Sequence, residues 1–464
     1  MSRVLLLATT TGYQTRAFGE AAERLGIELV FATDRCHMIE DPWRDQAIPI
    51  RFYDEAAAVA DIVESARSRP LDGILVVGDR PTVIGARVGE ALGLPGHSPE
   101  AAAIARNKQR TRERFQEAGL PVPWFVATTI KVDPREVLRS VQYPAVIKPV
   151  ALSGSRGVMR ADDPEAFVAA FKRLRLLLQS PDVRAERSEA HDVVLVEGFI
   201  PGREYALEGV LHHGRLHVLA LFDKPDPLDG PFFEETIYLT PSAAGRREQA
   251  AIVEAVTRAA EAIGLAHGPI HAECRVNPST GSGRANVFVL EVAARPIGGL
   301  CARALRFERG GIRDSGFGIR IANPERIPNP ERIPNPERIP NPESQITLEE
   351  LLLRQALGES PTAWTRENRA SGVMMIPIPH RGVFRHTDGL DEARAVAGIY
   401  DIRMTAKPDQ LLIPLPEGAS YLGFIFAQGD RPGAVDGALR AAHARLRFAI
   451  DPEIPLVSYN RGHG

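Results

Sequence analysis

Two glutamates and an arginine in the second half of this 464-residue chain stand among residues too apolar to be surface filler. Glu273 lies in IHAECRV and Glu291 in NVFVLEVAARPIGG, two strand-like runs joined by NPSTGSGRAN. In one antiparallel register the two carboxylates are directly opposite on one face, and a one-residue slip would separate them. Like charges facing across a sheet are unfavourable unless a cation lies between them. Hard carboxylates near a phosphate suit Mg²⁺. Arg295, four residues beyond Glu291, projects to the same face and would neutralise a phosphoryl group in transfer. His271 shares the face of Glu273, either as a substrate contact or as a structural histidine. A solvated pair of acids at a sheet edge is the alternative, and neighbours such as VFVL fit it poorly.

Two further stretches suit a nucleotide. Lys148 ends a strand in AVIKPVALSGSRGV and is followed by Ser153, Gly154, Ser155 and Gly157, with Lys108 in a basic segment upstream. Glycines let backbone N–H groups approach phosphate oxygens and lysines supply charge, although Ser-Gly hairpins are also common at surfaces. In VVLVEGFIPGREYALEGV a strand ends at Glu197, turns at Pro201-Gly202 and resumes at Glu204. The backbone of Glu197, Gly198, Phe199 and Ile200 suits pairing with a base edge, and Glu204 suits ribose hydroxyls; solvated hairpin acids are the competing reading. Glu234 and Glu235, after PFF, are weaker candidates for a pocket wall.

The elements that must position these groups fall in a readable order. Residues 1–97 alternate apolar strands (RVLLLAT, IELVFAT, DGILVVGD) with helical patterns, which argues a parallel α/β sheet covered by helices. No GxGxxG follows the first strand, so this fold alone names no ligand. Residues 98–123 read as one basic helix, capped by Ser98 with Pro99 behind it and closed at Gly119. Residues 124–200 read as a small α+β lobe carrying the Gly-rich loop, with a helix from Pro164 and a polar loop over 180–192. Residues 201–320 read as a long antiparallel lobe with one helix, EQAAIVEAVTRAAEAIGL. At 321–344 a hexapeptide repeat, IANPERIPNPERIPNPERIPNPES, excludes helix and central strand through its prolines. It is expected to be an extended, exposed insertion. Residues 345–464 form a closing α+β unit that begins with a helix capped by Thr347 and Glu350 and ends in another, AVDGALRAAHARLRFAI.

A net charge of −3 gives no general attraction to nucleic acid or to anionic membranes. No apolar run approaches the ~20 residues of a membrane span. Cys36, Cys274 and Cys301 fit no zinc spacing and read as thiols of a reducing compartment. MSRVLLLATTTGY is too short in its apolar part for a signal peptide. A cytoplasmic protein is expected, with a homodimer as one open assembly.

Taken in order, Lys108, IKP with its Gly-rich loop, VEGFIPGREY, HAE and LEVAARPIGG resemble the ATP-grasp superfamily, specifically carboxylate–amine ligases of the L-amino acid (dipeptide) ligase kind. The resemblance spans roughly residues 1–310 and, more loosely, the C-terminal unit. It implies an α/β domain, an ATP-grasp fold of two β-rich lobes and a C-terminal α+β unit. It implies ATP between the lobes, with Lys108 and Lys148 on phosphates, loop 153–157 closing over them, Glu197 and its neighbours at adenine and Glu204 at ribose. By the same resemblance Glu273 and Glu291 hold one or two Mg²⁺ (or Mn²⁺) ions. Arg295 stabilises the transferring group, and Gly298-Gly299 let substrate approach the backbone. The implied reaction joins a small-molecule carboxylate, activated as acyl phosphate, to an amine. A bicarbonate- or formate-activating ligase and a nucleotide binder without catalysis remain alternatives. Many members place Asn two residues after the second metal-binding Glu; Ala293 stands there, which leaves the metal count open.

Overall fold

The computed structural model describes residues 1–9, 12–34, 47–277, 286–309 and 345–453. The repeat at 321–344, the middle of the 277–286 turn and Cys36 lie outside the described residues.

The N-terminal sheet is parallel, in the order β3 (Ile48–Pro49), β2 (Glu28–Thr33), β1 (Arg3–Ala8), β4 (Gly73–Val77). Its central strand is apolar throughout because both faces are covered. Leu5 and Leu7 join a core with Ile62 and Ile84, while Val4 and Leu6 face a second core with Leu352 and Leu353. The latter leucines belong to the helix Leu348–Ala356, which carries the expected capping box of Thr347 and Glu350. A helix of the C-terminal unit therefore packs against the N-terminal sheet, beside Phe18, Ala21 and Ala22 of the helix Gly12–Leu25.

The expected single helix over 98–119 is two, Pro99–Ala105 and Lys108–Glu117. The break is local chemistry: the Asn107 side chain accepts from the backbone N–H groups of Gln109 and Arg110, starting a new helix. Lys108 thus becomes a first-turn residue, and its backbone N–H donates to Val150 O at 2.9 Å.

The small lobe is a four-stranded sheet in the order β5 (Phe125–Thr129), β8 (Val193–Gly198), β6 (Ala145–Pro149), β7 (Met159–Ala161). The helix Pro164–Leu178 covers one face with Phe167, Phe171 and Leu174. Part of the expected loop over 180–192 is a short helix, Pro181–Arg184.

The large sheet has eight strands, ordered β13 (Asn286–Ala293), β12 (Gly268–Asn277), β9 (Arg203–His212), β10 (Arg215–Asp223), β11 (Ile237–Thr240), β17 (Ala370–Ile376), β21 (Gly423–Gly429), β19 (Ile399–Met404). The C-terminal unit is therefore not separate: β17, β21 and β19 continue the large sheet. The link is β11, only four residues long, IYLT, and not recognisable by alternation. The closing helix is also shorter than expected. It ends at His443, and Arg447–Asp451 is a strand paired with Gly382–Asp388. No helix among the described residues is long and apolar enough to cross a membrane.

The β12–β13 register places Glu273 opposite Glu291, and the next pair is Cys274 with Val289. Leu290 is thus the extra residue of a β-bulge, which turns the strand beside Glu291. Arg112, fully buried, donates to the carbonyls of Val289 and Leu290 at 3.2 and 3.0 Å.

The turn between β8 and β9 depends on Gly202. Its φ is +118°, and a Cβ there would lie 2.2 Å from Val276 O. Gly202→Ala should lower unfolding free energy by about 1–3 kcal/mol. Gly433→Ala, in a helical turn with open space around it, should be neutral or slightly stabilising. Urea unfolding of both checks this, and equal effects would contradict it.

Candidate active site

A cavity of about 570 Å³ opens where the small lobe, the large sheet, the N-terminal domain and a C-terminal loop meet. Lys108, Lys148, Ser153, Gly154, Ser155, Glu197, Gly198, Phe199, Ile200, Glu204, His271, Glu273, Glu291, Arg295, Gly298 and Gly299 all line it. Gly157 does not. Its φ is +76° and a Cβ would press within 2.9 Å of Leu174, so its smallness serves loop packing. Glu234 is likewise absent from the wall, whereas Glu235 is on it.

Most charges in this cavity are paired. Glu197, buried at the end of β8, accepts from Arg112 at 2.9 and 3.3 Å and also from Lys148 Nζ. Burial opposes its charge, but Arg112 and Lys148 outweigh that and hold its pKa down near 2. Burial also pushes Lys148 down to about 8 despite Glu197. Lys108 Nζ donates to Leu152 O at 2.8 Å and lies 3.2 Å from Glu291.

The densest group surrounds Lys224, on the lead-out from β10. Its ammonium donates to Glu204 at 2.8 Å, Glu235 at 2.7 Å and Glu273 at 2.8 Å. One oxygen from each of these acids lies within 4.8 Å of the others, the spacing of a cation site. Here a lysine fills that role. Burial favours loss of its proton, yet the three carboxylates hold its pKa well above the ordinary value. Burial and the Glu273 charge push Glu235 up to about 7. The other oxygen of Glu204 accepts from Arg275 at 2.8 Å. Arg275 also donates to Ile200 O and stands near the rings of Phe199 and Phe233, which stack 6.4 Å apart. The backbone 198–200 is thereby fixed from behind.

His271 is held between two acids. Its Nδ1 lies 3.1 Å from Glu208, and its Nε2 lies 3.7 Å from Glu273. Burial disfavours the imidazolium, but the hydrogen bond to Glu208 and the nearby charge of Glu273 raise its pKa to about 9. Glu208 also accepts the backbone N–H of Ile297 at 3.1 Å, fixing the turn that leads to Gly298-Gly299. Arg295 donates to both oxygens of Asp79 at 2.9 and 3.2 Å. Asp79 follows β4, so the N-terminal domain orients this arginine.

Loop 153–157 rests on the C-terminal unit. Gly154 and Ser155 have φ of +63° and +55°. Gly157 N–H donates to Pro416 O at 2.8 Å, and Arg156 donates to Glu417 O at 2.7 Å. Ala419, Ser420 and Tyr421 complete the wall there.

The sequence reading missed Lys224, Asp79, Glu208, Glu235's partners, Arg112 and Arg275. Alternation along EYALEGVLHH and AECRVN marks Glu208 and Arg275 as inward-facing charges, a usable signal. Asp79 and the C-terminal loop depend on long-range packing and left none.

The donor set fits the metal that such a fold implies. Glu273 and Glu291 are directly opposite on adjacent strands and both face the cavity, as an oxygen-liganded Mg²⁺ requires. Ala293, opposite His271, adds no ligand.

Family comparison matches residues 19–96 to the ATP-grasp N-terminal domain, 141–304 to the ATP-grasp domain, and 374–451 to L-amino acid ligase C-terminal domain 2. The structure is similar to that of an L-amino acid ligase from Bacillus licheniformis (TM-score 0.75, 25% identity, covering 97% of this chain and 99% of that one). Alanine–anticapsin ligase of Bacillus subtilis is 30% identical over 53% of this chain and 52% of its own length. The chain thus spans about half the length of that relative. A protein of Sinorhizobium fredii described as uncharacterized is 22% identical over 97% of this chain and 84% of its own.

The His271 geometry has a pH consequence. Its folded pKa of about 9 exceeds the ordinary 6.5. The associated stability is therefore complete below pH 6.5 and is lost as pH rises toward 9, on the order of 3 kcal/mol. Lys148, depressed to about 8, acts in the opposite sense only above that pH. Urea midpoints between pH 6.5 and 8 should fall more steeply in the wild type than in His271→Gln, where the Glu235 contribution near pH 7 remains; parallel profiles would contradict the assignment.

Proposed function

We propose that this chain, whose residues 141–304 match the ATP-grasp domain and 374–451 the L-amino acid ligase C-terminal domain 2, is an ADP-forming ligase joining an amino-acid carboxylate to an amine. The carrying observation is the register that sets Glu273 against Glu291, with Arg295 and the two lysines around the same cavity.

In the proposed reaction a carboxylate oxygen attacks the γ-phosphorus of ATP and ADP leaves. The amine nitrogen then attacks the acyl carbon of the acyl phosphate, phosphate leaves with the oxygen it captured, and the amine loses a proton. Lys108 and Lys148 bind phosphate oxygens, and loop 153–157 presents its backbone to them. The segment 197–200 receives the base and Glu204 the ribose. Mg²⁺ held by Glu273 and Glu291 would offset the negative charge of the phosphates. Arg295, fixed by Asp79, faces the oxygens of the transferring group and of the tetrahedral carbon. The contact of loop 153–157 with 416–419 excludes water, which would otherwise hydrolyse the acyl phosphate.

A phosphate would take Lys108 from Glu291, 3.2 Å away, and the freed carboxylate would be available to hold the metal. Buried charge thus stays compensated throughout binding.

Supplied with ATP, Mg²⁺ and a pool of amino acids, the protein should release ADP in step with a new amide mass. Glu291→Gln and Arg295→Ala should each lower turnover by about 100-fold or more, with circular dichroism unchanged. Wild-type rates in either variant would refute the assignment, and absence of amino-acid-stimulated ADP would refute the substrate class.

A further inference from the structure

On the far end of β9, away from the cavity, three histidines converge. His212 and His213 form the β9–β10 turn, and His267 sits in the loop before β12. The turn is tied to that loop by a hydrogen bond from Gly214 N–H to Ala266 O at 2.7 Å. The pairing of Gly268 with Leu211 fixes the same junction. His213 adopts φ +50°, a left-handed conformation uncommon for a residue with a Cβ. Ring centroids are 4.5 Å apart for 212–213, 5.2 Å for 212–267 and 5.1 Å for 213–267.

One nitrogen from each ring lies within 4.8 Å of the other two. Two of the nitrogens are conspicuous. Nδ1 of His212 and Nδ1 of His267 are buried and have no hydrogen-bond partner among the described residues. Leaving buried polar atoms unpaired is costly, and a native structure offers a reason when it does so. His267 is itself more than nine-tenths buried. Its other nitrogen, Nε2, lies 2.7 Å from the side-chain amide of Gln355, which is also buried. The amide nitrogen of Gln355 stands at Nε2; with that amide turned end for end, its oxygen accepts from Nε2–H and the Nδ1 lone pair is left for a metal. That is the arrangement by which an outer hydrogen bond orients an imidazole toward a metal. Burial and the neighbouring rings hold His267 down near 4 and lower His212 as well. Both are therefore neutral, ligand-competent imidazoles at neutral pH.

We propose that His212, His213 and His267 form a site for one divalent transition-metal ion of the Zn²⁺ class, bound through three imidazole nitrogens with a fourth position open to water. Three nitrogen ligands select such an ion over Mg²⁺, which prefers oxygen. The ion would clamp the β9–β10 turn to the lead-in of β12, the strand that carries His271 and Glu273. It is a brace outside the ligase centre, and it stands or falls independently of the proposed reaction.

The test uses untagged full-length protein in excess Mg²⁺, titrated with Co²⁺ as a visible-absorbing substitute and, separately, dialysed against Zn²⁺ for metal analysis. One equivalent should bind, with the intense visible absorption of low-coordinate Co²⁺. His213→Ala, at an exposed position, and His267→Gln should each weaken binding by at least about tenfold, whereas Glu291→Gln should leave it unchanged. Zn²⁺ should raise the thermal midpoint of the wild type and not that of His213→Ala. Equal metal content in wild type and both histidine variants, or loss of binding in Glu291→Gln, would overturn the proposal.

Discussion

A single buried ammonium holds the centre of this molecule together. Lys224 is shared by Glu204 on β9, Glu273 on β12 and Glu235 before β11. Without it three carboxylates would repel one another across strands that must pair. Buried charge is tolerated only when it is compensated and hydrogen-bonded. The same rule governs Glu197 with Arg112 and Lys148, and Arg295 with Asp79. Each pair links different elements, so charge compensation and assembly of the cavity are one event.

That constraint suits a site for a polyanion. A triphosphate carries more negative charge than one divalent metal offsets, so the cations of the wall must take up the remainder. Walls already built of matched pairs can trade partners ion for ion, as Lys108 and Glu291 are placed to do. Positioning residues stand behind the exchange. Glu208 fixes His271 and the Ile297 backbone together, and Arg275 fixes Glu204 and the 200 carbonyl. The C-terminal unit contributes through the same physics of continuity: its strands extend the large sheet, and its loop supports the Gly-rich turn.

Much of this was legible in the sequence because short-range rules sufficed. The parallel sheet followed from apolar strands alternating with helical patterns. The facing of Glu273 and Glu291 followed from strand periodicity and the unfavourable burial of lone acids. The Leu290 bulge lies between that pair and the turn, and it is what brings Glu291, not Leu290, opposite Glu273. The misses share a cause. Asn107 broke a helix that composition alone would have continued, although its capping preference was visible. The strand at 237–240 exists because two neighbours pair with it, not through any pattern of its own. Asp79 finds Arg295 only after folding brings β4 beside the turn following β13. The Gly-rich pattern assigns Gly157 to phosphate, but Leu174 sets the space around it.

The central claim is that this cavity transfers phosphate to a carboxylate before amide formation. Its most direct measurement uses an amino acid labelled with ¹⁸O in both carboxylate oxygens. Mass analysis of the inorganic phosphate released during turnover should show one labelled oxygen per amide formed, the other remaining in the product. Phosphate free of label, alongside amide that forms at the same rate, would contradict the acyl-phosphate route and the roles assigned to Arg295, Glu273 and Glu291.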